Sequence, residues 1–326
     1  MSSKIEWLPN EIFVELFEYF NAQTLFNAFY NLNSRFNNLL SSLTNVSFTI
    51  LAKSANQLDH SHRFVTAINK LSIGPMVNSH FDRFINVRCL SLTYVLNETL
   101  TYLQNNDILP CLEHLLIVYR VNQPSATGLH KKIFSNGFPH LISCQLLGLG
   151  LIKTADNWTQ SPSLRILHIR MINLLVYKAI LSACPDLHFL RLNIPRDDLS
   201  CCDINPHLNI KQMILKIPLQ YYLETDEVIS NFLASTPNLE EFCIHRFIWD
   251  MNSILSLVEY DWLSKIIHLR LQHLHRFVFK LHFSTFVKLH KATIKSVLNR
   301  IDEHFTEVHD KQYESRLVIP LTDFKL

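Results

Sequence analysis

Glycine is close to absent from this chain. Five glycines in 326 residues leave few places where the backbone can turn left-handed or approach a phosphate closely. Tight two-residue hairpins and glycine-cradled nucleotide sites are therefore not expected. The corresponding motifs are missing as well: there is no Gly-x-Gly-x-x-Gly, no Gly-Lys-Ser/Thr and no Gly-x-Ser-x-Gly. An excess of charge is also lacking. With 30 basic and 28 acidic residues and a net charge of +2, nothing marks a nucleic acid or a membrane as the main partner. The seven cysteines, at 89, 111, 144, 184, 201, 202 and 243, are odd in number and form no Cys-x-x-Cys pair. Reduced thiols suit this pattern better than a disulfide framework. Cys201 and Cys202 are adjacent, a spacing that rarely closes a relaxed disulfide, and no basic neighbour lowers a thiol pKa there. The opening MSSKIEWLPNE lacks the apolar run of a secretory signal, and the longest apolar run, Leu146 to Ile152, is too short to span a bilayer. The expectation is a soluble protein of the cytoplasm or nucleus.

What the chain has instead is apolar surface. Hydrophobic residues make up 48% and phenylalanine alone numbers 22, which excludes a disordered chain. The concentration is greatest in Leu8 to Leu43. From Ile12 to Phe20 only Glu15 and Glu18 are polar, whereas a surface helix ordinarily has one apolar stripe and a wide polar face. Leu25, Phe26, Ala28, Phe29, Tyr30 and Leu32 repeat the excess around Asn27 and Asn31. Pro9 and Glu11 suit the start of a first helix, Asn21 can cap a second, and Asn33 or Ser34 a third that carries Phe36, Leu39, Leu40 and Leu43. A unit of about 40 residues without a disulfide seldom holds itself together alone, so its spare apolar surface must meet the rest of the chain or another protein.

Leu8-Pro9-x-Glu11-Ile12, then Leu16-Phe17-x-Tyr19-Phe20, Leu25 and Arg35-Phe36-x-x-Leu39 resemble an F-box, the N-terminal three-helix unit that docks on the adaptor Skp1 in cullin-based ubiquitin ligases. Two positions depart from the family's pattern: Thr24-Leu25 stands where Asp-Leu is frequent, and Phe36 where Trp is frequent. The resemblance implies an adaptor-binding face made of Leu8, Pro9, Ile12, Leu16, Phe17, Leu25 and Phe36.

Beyond that unit the chain repeats itself. Pro110, Pro139, Pro162, Pro185 and Pro237 each open a phrase with apolar residues two, five and seven places on, such as Pro185-Asp-Leu187-His-Phe-Leu190-Arg-Leu192. Copies without the proline occur at Leu43-Val46-Phe48, Ile68-Leu71-Ile73, Val87-Leu90-Leu92 and Ile210-Met213-Leu215, with a last one at Ile266-Leu269-Leu271. The starts at 141, 164, 187 and 210 give three successive intervals of 23. The last two apolar positions share one face of a short strand, proline stops any helix before it, and helix-like runs such as Leu174 to Cys184 and Asp226 to Ser235 precede it. Strand, return, helix, proline, strand is a solenoid unit. The phrases resemble divergent leucine-rich repeats of the kind found behind many F-boxes. The usual turn residue, Asn or Cys, is replaced by Arg120, Leu149, Ile172 and Pro195, so an irregular arc is expected.

The fold expected is thus α/β: a three-helix F-box at 1–45, a leucine-rich-repeat arc at 46–274 and a C-terminal cap at 275–326. In the cap, Phe277, Phe279, Leu281 and Phe283 read as a half-exposed strand, Val287 to His309 as an amphipathic helix and Arg316 to Leu326 as a closing strand. A non-repetitive α/β domain is the competing reading.

No catalytic constellation is found. Seventeen histidines raise the question of a metal, but neither His60 and His62 nor His268, His273 and His275 lie in a metal-binding frame. No cofactor and no metal are expected. The functional surface expected is the solvent side of the strands, where residues between the apolar ones point outward. It includes His114, Gln145, Glu241 and, as target-binding candidates, His168, Arg170, Phe189, Arg191, Asn193, Lys216, His245 and Arg270. The resemblance implies a non-enzymatic substrate receptor with a Skp1-type adaptor and cullin complex on one side and a target protein on the other. Two rival readings are a plain repeat scaffold capped by the N-terminal helices and a metal-dependent hydrolase built on the histidines near 270.

Overall fold

The protein is described here from a computed structural model. It describes residues 7–43, 46–50, 65–75, 82–119, 127–148, 158–170, 172–193, 204–217, 225–248, 261–283 and 314–318, with positions 296, 299, 300 and 303. The chain divides into two compact units, residues 1–150 with 157–164 and residues 151–156 with 165–326.

The first unit begins with three short helices, α1 (Asn10–Phe17), α2 (Ala22–Phe29) and α3 (Ser34–Ser42). Asn21 and Asn33 cap α2 and α3, accepting from the backbone N–H of Thr24 and Phe36. Pro9 stands at the N-cap of α1 with extended backbone and offers no side-chain bond. The interior is aromatic. Phe13 meets Phe36 edge-on at 4.9 Å, and Phe29 lies 4.8 Å from Phe17 and 5.3 Å from Phe36. Arg35 ties α3 to the start of α1. It donates to the Leu8 carbonyl and to Asn10 Oδ1 and covers the Phe13 ring at 5.3 Å.

Strands β1 (Val46–Ile50), β2 (Ile68–Ile73), β3 (Cys89–Thr93), β4 (His114–Val118) and β5 (Ser143–Leu147) follow. Each pairs with the next in chain order, always parallel. Helices α4 (Asn97–Asn105) and α5 (Thr127–Phe134) connect strands. The second unit continues the scheme with β6 (Ile166–Ile169), β7 (Phe189–Asn193), β8 (Gln212–Ile217), β9 (Glu241–Ile248), β10 (Arg276–Phe283) and β11 (Glu314–Val318), again parallel and in chain order. Its helices are α6 (Leu174–Ala183), α7 (Thr225–Ala234) and α8 (Asp261–Arg270).

The repeat phrases explain the register. Their second and third apolar residues form two buried rows across the strands. In the first unit these are Leu71, Leu90, Leu115 and Cys144, and then Ile73, Leu92, Ile117 and Leu146, and on β1 the two rows are continued by Phe48 and Ile50. In the second unit, Leu190, Met213, Phe242 and Phe277 and then Leu192, Leu215, Ile244 and Phe279 do the same. The backbone repeats too. One carbonyl ahead of each strand accepts two N–H groups from the next turn: Arg165 from His188 and Phe189, His188 from Lys211 and Gln212, Lys211 from Glu240 and Glu241, Glu240 from His275 and Arg276. A fixed rung of this kind is what stacked solenoid units require, since each satisfies the backbone of its neighbour. Both units are therefore built as leucine-rich-repeat-like parallel solenoid.

Three expectations need correction. The phrase at Leu43-Val46-Phe48 stands two residues too early: Phe48 pairs with Leu71 and Ile50 with Ile73, after an irregularity in the pairing between Val46 and Ser47. Ile266-Leu269-Leu271 is not a strand phrase: Ile266 and Leu269 lie in α8, and Leu269 is 69% exposed. The phrase belongs to Leu274-Phe277-Phe279, all buried, so β10 continues the parallel series past the boundary expected at 275. Arg270 consequently ends a helix and takes no place on the strand face. The run Val287 to His309 lies almost wholly outside the described residues; 296, 299, 300 and 303 are helical.

Candidate functional site

Each unit presents one exposed surface of unusual composition. On the first, α1 carries two apolar stripes. Phe13 and Phe17 turn inward and are buried, while Ile12 and Leu16, four residues apart, form a second ridge in solvent, and Leu8, just ahead of the Pro9 N-cap, is exposed as well. The ridge runs between the buried stripe and the exposed Glu11 and Glu15. Trp7 and Tyr19, ahead of and after α1, are 79% and 89% exposed, and Phe20 is exposed too.

This sorts the residues proposed for the adaptor face. Leu8, Pro9, Ile12 and Leu16 are exposed. Phe17, Leu25 and Phe36 are not, with at most 2% of their surface open, and they belong to the interior of the three-helix unit. They can shape such a face only by holding α1 in position. Sequence reasoning did not single out Trp7 and Tyr19 as exposed apolar residues beside α1, although the apolar excess of the stretch was visible in the letters.

On the second unit, the outward residues of β7 to β10 fall into ordered rows. Arg191, Ile214, Cys243 and Val278 form one, and Asn193, Lys216, His245 and Lys280 the next. Phe189, Gln212, Glu241 and Arg276 form a third. His168 pairs with Arg191 in register, and the Arg170 carbonyl accepts from the Asn193 N–H. Seven of the eight predicted target-binding residues are thus gathered on one face, and Arg270 is the exception. Of the ones missed, Lys280, Val278 and Arg276 stand on β10, whose phrase was placed on the wrong residues, and Gln212, Ile214 and Cys243 stand on β8 and β9 between residues that were named.

The electrostatics of this face are uneven. Desolvation holds His245 down to about 3, aided by the nearby cations Lys280, Lys216 and Arg191 and by His282. Desolvation, with Arg191 and Lys216, likewise holds His168 at about 4. Lys216 is itself lowered by desolvation and by Arg191 and Arg170. All three shifts are those of half-buried groups in a positive field. His245 Nδ1 lies 3.1 Å from His282 Nε2, and the His282 ring stacks on Phe247 at 4.7 Å. A hollow of about 340 Å³ opens beside the cations, lined among others by Phe189, Ile214, Cys243, Arg276, Val278 and Lys280.

Among the described residues, no three His, Cys, Asp or Glu side chains converge as a metal site, and His268, His273 and His275 are exposed. His60, His62, Cys201 and Cys202 lie outside the described residues. No described helix is long and apolar enough to cross a membrane.

No family model matches the chain and no curated protein matches it. Among solved structures, an internalin (inlF) from Listeria monocytogenes is similar over 91% of this chain and 89% of that one, at 12% identity and a TM-score of 0.45. A likeness that distant carries no argument about this protein. The repeat architecture rests on the strand register and the repeated carbonyl rungs.

Proposed function

We propose that this protein is a non-catalytic, protein-binding receptor subunit. Its N-terminal helices dock a Skp1-type adaptor, and the strand face of its second unit holds a target for ubiquitination by the adaptor's cullin complex. The observation that carries the reading is the second apolar stripe of α1. Ile12 and Leu16, with Leu8 just ahead of the helix, stay in solvent although α1 already fills its core with Phe13 and Phe17. Burying such a ridge is worth about 25 cal/mol per Å² of apolar surface covered, and an exposed apolar patch with a charged rim is the usual mark of a protein contact. The Leu-Pro-x-Glu-Ile opening adds the resemblance to an F-box. A plain structural cap fits less well, because a cap has no use for the outward ridge.

Capture of purified Skp1 by the full-length chain tests this. Leu8→Ala, Ile12→Ala and Leu16→Ala combined should reduce capture at least about tenfold, as expected when hot-spot side chains at an interface centre are truncated. The melting temperature should change little, because none of the three is buried. Undiminished capture by the triple variant, or none by the unaltered protein, rejects the adaptor reading.

A further inference from the structure

The exposed face of β7 to β10 holds cations in a setting that cations avoid. Lys216, Lys280 and Arg191 are half-buried, yet among the described residues no carboxylate pairs with them. The Nε atom of Arg191 is buried and has no hydrogen-bond partner. Elsewhere in the same unit charges are matched, as Lys211 with Glu240 at 2.9 Å and Arg165 with Asp186 at 3.2 Å. Half-buried charge without a counter-charge destabilises the fold, so its presence calls for something that arrives later.

We propose that this face is a binding site for an acidic segment of a partner protein, with anionic groups on Arg191, Lys216 and Lys280 and an apolar side chain in the hollow over Ile214, Cys243 and Val278. The inference deepens the reading of the second unit as the target-holding part and rests on it; it is indifferent to what the α1 ridge binds.

The layout fits such a ligand. Lys216, His245 and Lys280 occupy one row on three successive strands. Neighbouring strands lie about 4.8 Å apart, so the two lysines stand about 10 Å apart, the span of roughly three residues of extended chain. The adjacent row is a cation at one end, Arg191, and then apolar: Ile214, Cys243 and Val278. A segment lying across the strands thus meets positive charge along one margin and, along the other, a trough that has Ile214, Cys243 and Val278 on one side and Gln212, Glu241 and Arg276 on the next row. The trough's volume, about 340 Å³, suits one large side chain or two small ones. The depressed His168 and His245 agree with a positive field waiting for an anion. A nucleic acid fits less well. Glu241 and Glu314 stand in register on either side of Arg276 and interrupt any cationic track, and the chain as a whole is nearly neutral.

Carboxylate and phosphate oxygens share this chemistry, and the test separates them. Full-length protein is titrated against three fluorescein-labelled octapeptides of one pattern, leucine alternating with glutamate, with phosphoserine or with glutamine, and against an oligouridine of similar length. The glutamate or the phosphoserine peptide should bind at least about tenfold tighter than the glutamine peptide, with an affinity that falls as salt rises. The stronger of the two names an unmodified or a phosphorylated target. Lys216→Gln with Lys280→Gln should remove most of that advantage, while the melting temperature stays the same or rises, since both charges are uncompensated. Glu241→Gln, which leaves every cation in place, should tighten acidic-peptide binding about two- to threefold, and it serves if the double variant does not fold. Equal binding of the glutamine peptide, indifference to both variants, or binding of oligouridine alone overturns the proposal. Skp1 capture is scored on the same preparations. Lost peptide binding with retained capture removes this inference only, and the reverse removes only the adaptor reading.

Discussion

His130, on α5, is buried with 5% of its surface exposed. Its Nε2 lies 3.3 Å from the Tyr119 hydroxyl, and its Nδ1 has no partner. Burial therefore holds it neutral and lowers its pKa to about 4. The unfolded chain binds this proton near pH 6.5, so between pH 6.5 and about 4 the unfolded state carries more protons than the folded one. Stability is then complete above pH 6.5 and is lost as the pH falls through that window. From pH 7.5 to 5.0 this residue alone should remove about 2 kcal/mol. His168 and His245 act in the same direction but are half-exposed, and solvent screens their share. Urea unfolding at the two pH values checks the sign: in His130→Leu the acid-side loss should shrink by about 2 kcal/mol. An unchanged pH dependence refutes the assignment.

Residues were legible in the sequence to different depths. That α1 was too apolar for a surface helix could be read from Ile12 to Phe20. Which of its apolar residues turn inward could not, because Ile12 and Phe13 are adjacent and equally apolar. Only packing against Phe29 and Phe36 decides between them. Of the seven adaptor-face residues, the three now in the core are the ones whose role depended on that decision.

At the scale of elements, the Pro-x-Leu-x-x-Leu-x-Leu phrase was legible because it carries two signals at once. Proline stops the helix, and the period of two starts the strand. Spacings of 23 reappear as the carbonyl rungs at Arg165, His188 and Lys211. The final phrase was misplaced because Leu269 and Leu271 imitate its spacing within and just after a helix. In the true phrase, phenylalanine replaces leucine at 277 and 279, and no proline announces it. A pair of substitutions distinguishes the two placements. Leu274→Ala removes a side chain that is 1% exposed and should cost about 2–5 kcal/mol, the usual range for a buried leucine. Leu269→Ala removes one that is 69% exposed and should stay within about 0.5 kcal/mol. Chemical denaturation of both variants gives the comparison. Had Leu269 been a strand position, the order would reverse.

At the scale of the whole molecule, each of the two units is a parallel solenoid in chain order, which couples each of its turns mainly to the next. Phe242 shows how far that coupling should reach. It is 1% exposed, occupies the buried row between Met213 and Phe277, and its ring lies 5.7 Å from that of Phe277. Phe242→Ala should cost about 3–5 kcal/mol, but the cost need not be shared evenly. The rungs from Lys211 to Glu240 and from Glu240 to His275 and Arg276 place β8, β9 and β10 in direct dependence on this residue. In native-state hydrogen exchange their amides should lose protection together. Those of β2 to β4, in the other unit, should keep theirs. The same turns carry Lys216, His245 and Lys280, so acidic-peptide binding should weaken in step with the lost protection, whereas Skp1 capture through α1 should not. A uniform fall in protection from β1 to β10 would instead mean that the chain opens as one cooperative body, and the nearest-neighbour account would fail.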